Sequence, residues 1–398
     1  MVKLVEKPYC TGCAACKAVC PRHAITMRQD AEGFIYPYID ASKCIGCGIC
    51  KQACPSLNQG VARSPLGVCA AMAKDDTLRL SSSSGGVFSL LAKDVLAKGG
   101  VVFGAAFDHD DWHVYHRFVD NEADLQELRG SKYVQSDAGD CYNQVKDLLK
   151  AGRPVMFTGT PCQIAGLVKV LEANPTTPTE KLLLVDVVCH AVPSPLAWEK
   201  YLEKRLASVY NDGKGGLRDI RRISYRRKDC GWKRYAMSLT FANDMAYLAC
   251  FNQDPFMRGF LSELYNRPSC HNCPCKNLKS GSDLTIADYW GVASKLPEMD
   301  DDKGTSLVLV NTEKGASAFA SVGDMMRLKS SDFNHAVVGN SAIVRPTTPH
   351  RNRNRFFHRV TKSDFDSLVN RMLQPSLKSR IRALVGRLLR KFGWLRHH

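Results

Sequence analysis

Several features are missing from this chain, and each absence narrows what it can be. No apolar run approaches the roughly 18 residues a helix needs to cross a bilayer. The opening, MVKLVEKPYC, has neither an apolar core nor a small-residue cleavage site, so it does not read as a secretory signal. There is no G-x-G-x-x-G and no Walker sequence, so any dinucleotide would be held in another manner. Acidic residues are in deficit, 39 against 55 Lys and Arg, giving a net charge of +16. That excess is not a nucleic-acid footprint. From Arg345 onward 14 basic residues face only Asp364 and Asp366, which accounts for +12 of the total, and no nucleic-acid-binding motif accompanies it. A basic tail sets the charge, and the body before it is nearly neutral.

What the chain has in abundance is cysteine, 17 in all. Without an export signal, that number points to a reducing cytoplasm and metal ligation, not disulfides. Eight of them stand in CTGCAACKAVCP and CIGCGICKQACP. Cys10, Cys13, Cys16 and Cys20 form the first run; Cys44, Cys47, Cys50 and Cys54 form the second. Each cysteine recurs 34 positions later, an internal duplication. The spacing C-x2-C-x2-C-x3-C-P has a chemical reason: three thiolates two residues apart wrap one loop around three corners of a 4Fe–4S cube, and the fourth reaches the other cube. The predicted ligand sets are therefore Cys10, Cys13, Cys16 and Cys54, and Cys44, Cys47, Cys50 and Cys20. Zinc favours paired C-x2-C knuckles, not triplets closed by Cys-Pro. Residues 1–60 resemble a bacterial-type two-cluster ferredoxin domain.

After a polar linker at 56–65, elements alternate. Residues 24–27 and 34–39 read as strands over the clusters, and 101–107, 154–158 and 182–188 as short buried strands. Helical patterns follow at 87–96 and 163–171. The turns SSSSGG, GTPC and CHAVPSP fall at the joints, which argues for an α/β core binding ligand at strand C-termini. Later segments read as antiparallel, with a hairpin predicted at 235–251 around Ala242-Asn243-Asp244. The acidic loop 108–116 leaves His109, His113 and His116 solvated. Beyond Leu377, apolar residues recur at helical steps with Arg and Lys off the stripe. Such a helix either docks on a membrane surface or partner, or packs on the body with a solvated basic face.

Outside the duplication, Cys162 and Cys189 sit in strand-end turns and Cys270, Cys273 and Cys275 crowd one segment. From spacing, Cys162, Cys189, Cys270 and Cys273 suit a third cluster or zinc equally. Cys69, Cys141, Cys230 and Cys250 stand alone, as buried inert thiols do. The loop at 81–86 suits a phosphate, with N–H groups and a helix start facing the anion, or is a plain helix cap. Lys132 and Tyr133 read as an ordinary turn pair. His190, beside Cys189, suits a supporting hydrogen bond or a proton donor. Asp283 and Asp288 flank a short strand and suit structural hydrogen bonding.

Six blocks in order carry a more specific resemblance: SSSSGGVFSLL, LRGSKYVQS, GTPCQIAGL, VDVVCHAVPSPLAW, RPSCHNCPCK with SGSDLTIADYWG, and KGTSLVLVNTEKG. Together they are similar to the beta-subunit family of coenzyme F-420-reducing hydrogenases and dehydrogenases, over about residues 66 to 315. The resemblance implies FAD, a third 4Fe–4S cluster on Cys162, Cys189, Cys270 and Cys273, and hydride chemistry at the flavin. It implies FAD contacts from Ser83, Gly85, Gly86, Lys132, Tyr133 and Thr160, with Ser83, Gly85 and Gly86 on the pyrophosphate. Lys132 and His190 are the implied catalytic candidates. Cys275 departs from the pattern, since relatives commonly carry an aromatic residue there.

The expected fold is α+β or α/β: a bacterial-type ferredoxin domain (1–60), a mixed α/β flavin-binding body (66–150 and 151–344), and a C-terminal helical tail (345–398). The expected function is a cytoplasmic iron–sulfur flavoprotein oxidoreductase linking a small-molecule hydride donor or acceptor to a redox partner protein at the ferredoxin domain. No nucleic acid is involved, and the tail is a candidate for peripheral membrane contact. The rival reading is a relay subunit without catalysis of its own.

Overall fold

The computed structural model describes residues 2–210 and 215–375. The amphipathic pattern beyond Leu377 lies outside the described residues. In the N-terminal unit, β1 (Ile25–Gln29) and β2 (Ile35–Ile39) pair antiparallel, while two one-turn helices, Ala15–Ala18 and Ile49–Gln52, hold the cysteine runs. The duplication extends to the backbone. Gly12 and Ala14 adopt positive φ in the first run, and Gly46 and Gly48 do so in the second. These left-handed residues bend each C-x2-C step back on itself, a conformation that Ala14 adopts at some cost.

Nine strands form the body sheet: β3 (Gly67–Ala73), β4 (Val101–Phe107), β5 (Val114–Val119), β6 (Ser136–Asp137), β7 (Val155–Gly159), β8 (Leu182–Val187), β12 (Leu284–Asp288), β13 (Ser306–Val310) and β14 (Met326–Ser330). A separate three-stranded sheet contains β9 (Ile220–Arg227), β10 (Ala236–Phe241) and β11 (Ala246–Cys250), and β10–β11 is the predicted hairpin. The body order is β14-β3-β13-β12-β8-β7-β4-β5-β6. The centre, β12-β8-β7-β4, is parallel; β13, β3 and β14 on one side run antiparallel to their neighbours, and on the other β5 is antiparallel to β4 while the short β6 pairs with β5 in parallel. The buried centre carries near-continuous apolar runs, as parallel strands covered on both faces require. Helices Val87–Ala97 and Glu313–Ala320 cover one face. Cys141–Lys150 and Pro161–Glu172 cover the other, together with Ala14 and Ala15 of the N-terminal unit. Because the parallel strands point the same way, the turns after Phe107, Gly159, Val187 and Asp288 all open at one edge.

Both parts of the body, 66–150 and 151–344, contribute strands to the one sheet. Two expectations change. First, residues 345–375, grouped with the tail by charge, are built into the fold. Phe356, Phe365, Leu368, Val369 and Met372 join the aromatic core of the body, and their burial outweighs the charge pattern around them. Second, the loop 108–116 ends in β5. His109 and His113 are exposed, but His116 is buried at 5 % exposure. Its Nδ1 lies 2.5 Å from Ser136 Oγ and its Nε2 lies 3.0 Å from Thr158 O.

Burial holds the His116 pKa down to about 4. Between that value and the unfolded value near 6.5 the unfolded chain carries the proton and the native chain does not, so stability falls as pH drops through this window. Asp186, pushed up to about 6 by burial, acts in the opposite sense. The difference between wild type and His116→Asn isolates the histidine. Chemical denaturation from pH 7 to 4 is expected to show wild type losing about 3 kcal/mol more than it would without this group, with the excess slope absent in the variant.

Candidate cluster and cofactor sites

Two cavities in the N-terminal unit lie where the duplicated thiols meet. Cys10, Cys13, Cys16 and Cys54 line one, with Leu4, Val5 and Met27; Cys20, Cys44, Cys47 and Cys50 line the other, with Val2, Ile25 and Ile39. The fourth cysteine of each run thus serves the opposite set, as the spacing predicts. Within each set the thiols sense one another's charge: Cys16 feels Cys13, Cys10 and Cys54, and Cys50 feels Cys47, Cys20 and Cys44. Burial pushes Cys13 up to about 12 and raises Cys16, Cys50 and Cys54. Converging, desolvated thiols that resist ionisation are a donor set suited to a metal centre, whose charge reverses that preference. The Ala24 N–H donates to Cys20 Sγ at 3.3 Å, the type of bond that tunes a cluster.

A third group forms at the open edge of the body sheet. β7 and β8 are parallel neighbours, so the turn holding Cys162 and the segment holding Cys189 emerge side by side. The loop from Tyr265 to Cys273 is tied along 192–194: Ser194 N–H donates to Tyr265 O and Arg267 N–H to Val192 O. Cys189 consequently senses Cys270, Cys162 and Cys273 together. Burial pushes Cys162 up to about 11 and Cys270 up to about 12. Cys273 is instead held low, by a hydrogen bond from Cys275 and by the nearby Lys276. Lys276 Nζ donates to Cys189 O at 2.8 Å and to Ala342 O at 2.6 Å. Cys275 is buried and sits near Cys162, Cys273 and Cys13.

This third group adjoins the first ferredoxin-like set. Cys13 and Cys162 sense each other's charge, and a Cβ on Gly166 would stand 3.2 Å from Cys13 Sγ. Arg267 locks the junction. At 1 % exposure, its guanidinium donates to Cys10 O (2.9 Å), Ile35 O (2.9 Å) and Gln135 Oε1 (2.7 Å), and lies 4.3 Å from the centre of the Tyr36 ring. Arg353 pairs with Glu32, and Ser194 Oγ donates to Glu32 O at 2.5 Å.

The implied FAD residues are partly gathered. Ser83 Oγ accepts from Ser131 N–H at 2.8 Å and from Ser131 Oγ at 3.1 Å, joining the 81–86 loop to the segment with Lys132 and Tyr133. Gly86 has φ +91° and precedes helix Val87–Ala97. Gly85 does not fit a pyrophosphate contact: its N–H donates to Ser306 Oγ and its carbonyl accepts from Ala73 N–H. A Cβ there would overlap Ala71 O, so this glycine is required by sheet packing. Thr160 caps helix Pro161–Glu172, and its Oγ1 lies 3.2 Å from Cys162 Sγ. Lys132 Nζ donates to Arg129 O at 3.0 Å and lies 5.8 Å from the Phe107 ring centre; burial draws its pKa down to about 7. Tyr133 and His190 both pack on Phe260. His190 Nε2 lies 2.5 Å from Glu263 Oε1, too far off line to count as a hydrogen bond.

Sequence reasoning missed two basic residues here, for want of any motif in ISYRRK. Arg226 is buried, pairs with Asp288 at 2.8 Å and leaves Nε and Nη2 without a protein partner. Lys228 Nζ donates to Ser84 O, Arg79 O and Lys303 O, and burial together with Arg226 draws its pKa down to about 7. A concentration of uncomfortable positive charge beside the serine loop fits an anionic cofactor. Asp288 also accepts from Trp232 Nε1, whereas Asp283 is structural, taking Leu184 N–H and Thr312 Oγ1.

Converging cysteine sets on an α/β body define an iron–sulfur electron-transfer protein. The family described as the C terminus of the coenzyme F-420 hydrogenase/dehydrogenase beta subunit matches residues 152–335, and its N-terminal counterpart matches 68–140. Two 4Fe–4S dicluster families match residues 9–58 and 36–89, and only the first span contains both cysteine runs. The chain belongs to the coenzyme F-420 hydrogenase/dehydrogenase beta-subunit family, with a 4Fe–4S dicluster domain at its N-terminus. No curated protein matches it. Among solved structures, a chain in the F-420-reducing NiFe hydrogenase complex from Methanosarcina barkeri is 15 % identical, with 71 % of this chain and 90 % of that one covered at a TM-score of 0.48.

Arg267→Met is expected to leave the Cys10 and Ile35 carbonyls unpaired, at about 1–3 kcal/mol each. Trypsin cleavage at the exposed linker residue Arg63 should then be at least about tenfold faster than in wild type, read by limited proteolysis and mass spectrometry.

Proposed function

We propose that the chain is an FAD-dependent iron–sulfur oxidoreductase moving electrons between a small-molecule hydride donor or acceptor and a protein partner. The supporting observation is the meeting of Cys162, Cys189, Cys270 and Cys273 at the strand ends, with Cys162 within charge range of Cys13. These four thiols would hold a third 4Fe–4S cluster beside the one on Cys10, Cys13, Cys16 and Cys54, with Cys20, Cys44, Cys47 and Cys50 holding the next. Cys275 would not ligate but would hydrogen-bond to Cys273, stabilising its thiolate. FAD, when bound, supplies exchange of electron pairs with a substrate and of single electrons with clusters.

Ser83, Gly86, Lys132, Tyr133 and Thr160 would hold FAD, while Gly85 keeps their loop against the sheet. Arg226 and Lys228 lend positive charge for its phosphates. Two residues at this edge suit proton handling. His190 lies beside Glu263 and is braced on Phe260, and Lys132 has a pKa near neutrality. The substrate is a deazaflavin such as coenzyme F-420, or another hydride-exchanging metabolite. Seventeen cysteines, none of them in a disulfide, fit a reducing cytoplasm. Among the described residues no helix is long and apolar enough to cross a membrane.

Anaerobic iron, sulfide and flavin analysis tests this reading. Wild type is expected to hold about twelve irons and one FAD, and a Cys189→Ser/Cys270→Ser variant about eight irons with the ferredoxin-type signals retained. About eight irons and no flavin in wild type would leave an electron-relay subunit instead.

A further inference from the structure

The duplicated motif produces two sets that differ in exposure, although each keeps a buried thiol, Cys50 in the second at 8 %. Cys10 and Cys13 of the first set are 8 % and 9 % exposed, pressed against the body. In the second set Cys47 is exposed, and Ile45, which lines that cavity with Val2 and Arg22, keeps 64 % of its surface exposed. Ile45 is a bare aliphatic side chain over the cavity of the second thiol set, and Arg22 lines the same cavity. Lys43 and Lys51, next in sequence to the lining residues Cys44 and Cys50, are exposed like Arg22. Arg22 and Lys51 have no ion pair among the described residues, and Lys43 has only Asp40 at 3.8 Å. Two of the four acids in residues 1–60 are engaged elsewhere, Asp30 with Lys7 and Glu32 with Arg353.

We propose that this face docks an acidic one-electron carrier protein, one with carboxylates ringing its own redox centre. One electron would leave the reduced centre of either protein and enter the oxidised centre of the other, with no bond made or broken. Charge complementarity selects this occupant. A second copy would bring two basic rims together, which is repulsive. The proposal rests on the iron–sulfur reading of Cys20, Cys44, Cys47 and Cys50 and does not depend on FAD.

Binding to the full chain under anaerobic conditions tests it, with a small acidic 4Fe–4S ferredoxin and a basic cytochrome c as probes in isothermal titration calorimetry. The ferredoxin is expected to bind at least about tenfold tighter than the cytochrome at low salt, and to lose about tenfold in affinity as salt rises from about 50 to 300 mM. A Lys43→Glu/Lys51→Glu variant, which leaves the cavity lining unchanged, should lose at least about tenfold for the ferredoxin while keeping wild-type iron content. Equal affinity for both probes, or a charge-reversed variant that binds like wild type, would overturn the proposal. So would dimerisation through this face, seen as a monomer in sedimentation only for the variant. A wild-type chain without iron would overturn the iron–sulfur reading itself, whereas iron-replete chain with no ferredoxin affinity overturns only the docking.

Discussion

A guanidinium taken out of water must find acceptors for its N–H groups, and the acceptors Arg267 finds decide how this molecule is joined. Two are backbone carbonyls of the N-terminal unit, at Cys10 and Ile35, and a third is Gln135 of the body. Carbonyls cannot be rearranged as side chains can, so the ferredoxin-like unit is held in one orientation. Arg267 also begins the turn that carries Cys270 and Cys273. The same side chain therefore fixes a cysteine loop of the body against the first cysteine loop of the N-terminal unit. Without such a joint, a linker at 56–65 would leave the two sets of thiols free to separate.

The body edge divides by charge. Thiols gather where β7 and β8 end, with Cys162, Cys189 and Cys270 raised in pKa by burial and by their neighbours and Cys273 held low by Cys275. Basic groups gather beside them, with Lys132 lowered by burial and Lys228 by burial and the adjacent Arg226. Each group on its own is unfavourable in a folded chain, and each becomes favourable with a ligand of the opposite character. The buried nitrogens of Arg226 that lack a protein partner belong to the same pattern. Local rules are broken at this edge and kept through most of the sheet, as expected where binding has taken precedence over stability.

Duplication gives two copies of one loop, and context makes them different. The first copy packs through Ala14 and Ala15 against the body helices, while the second copy leaves its opening residues Ile45, Gly46 and Cys47 at the surface. Residue spacing is identical in both, so accessibility is a property of the assembly and not of the motif.

The sequence by itself determined whatever chain-local geometry controls. Eight cysteines at fixed steps define two crossed sets, because loop closure around a cube depends only on neighbours along the chain. The buried strands 101–107, 155–159 and 182–187 were legible from apolar runs between turns, and the β10–β11 hairpin from its two flanking strand patterns. Tertiary structure decided the rest. Cys162, Cys189, Cys270 and Cys273 come from three segments, and spacing alone left zinc and a cluster equal; only the parallel pairing of β7 with β8 and the strap at 192–194 bring them together. His116 was read as solvated because a polar loop precedes it, yet pairing of β5 with β4 turns it inward. Arg226, Lys228 and Arg267 carry no motif and owe their roles to burial. Long-range pairing is a choice among registers and orders that hydrophobic periodicity does not encode, so partners distant in sequence become visible only once the sheet is assembled.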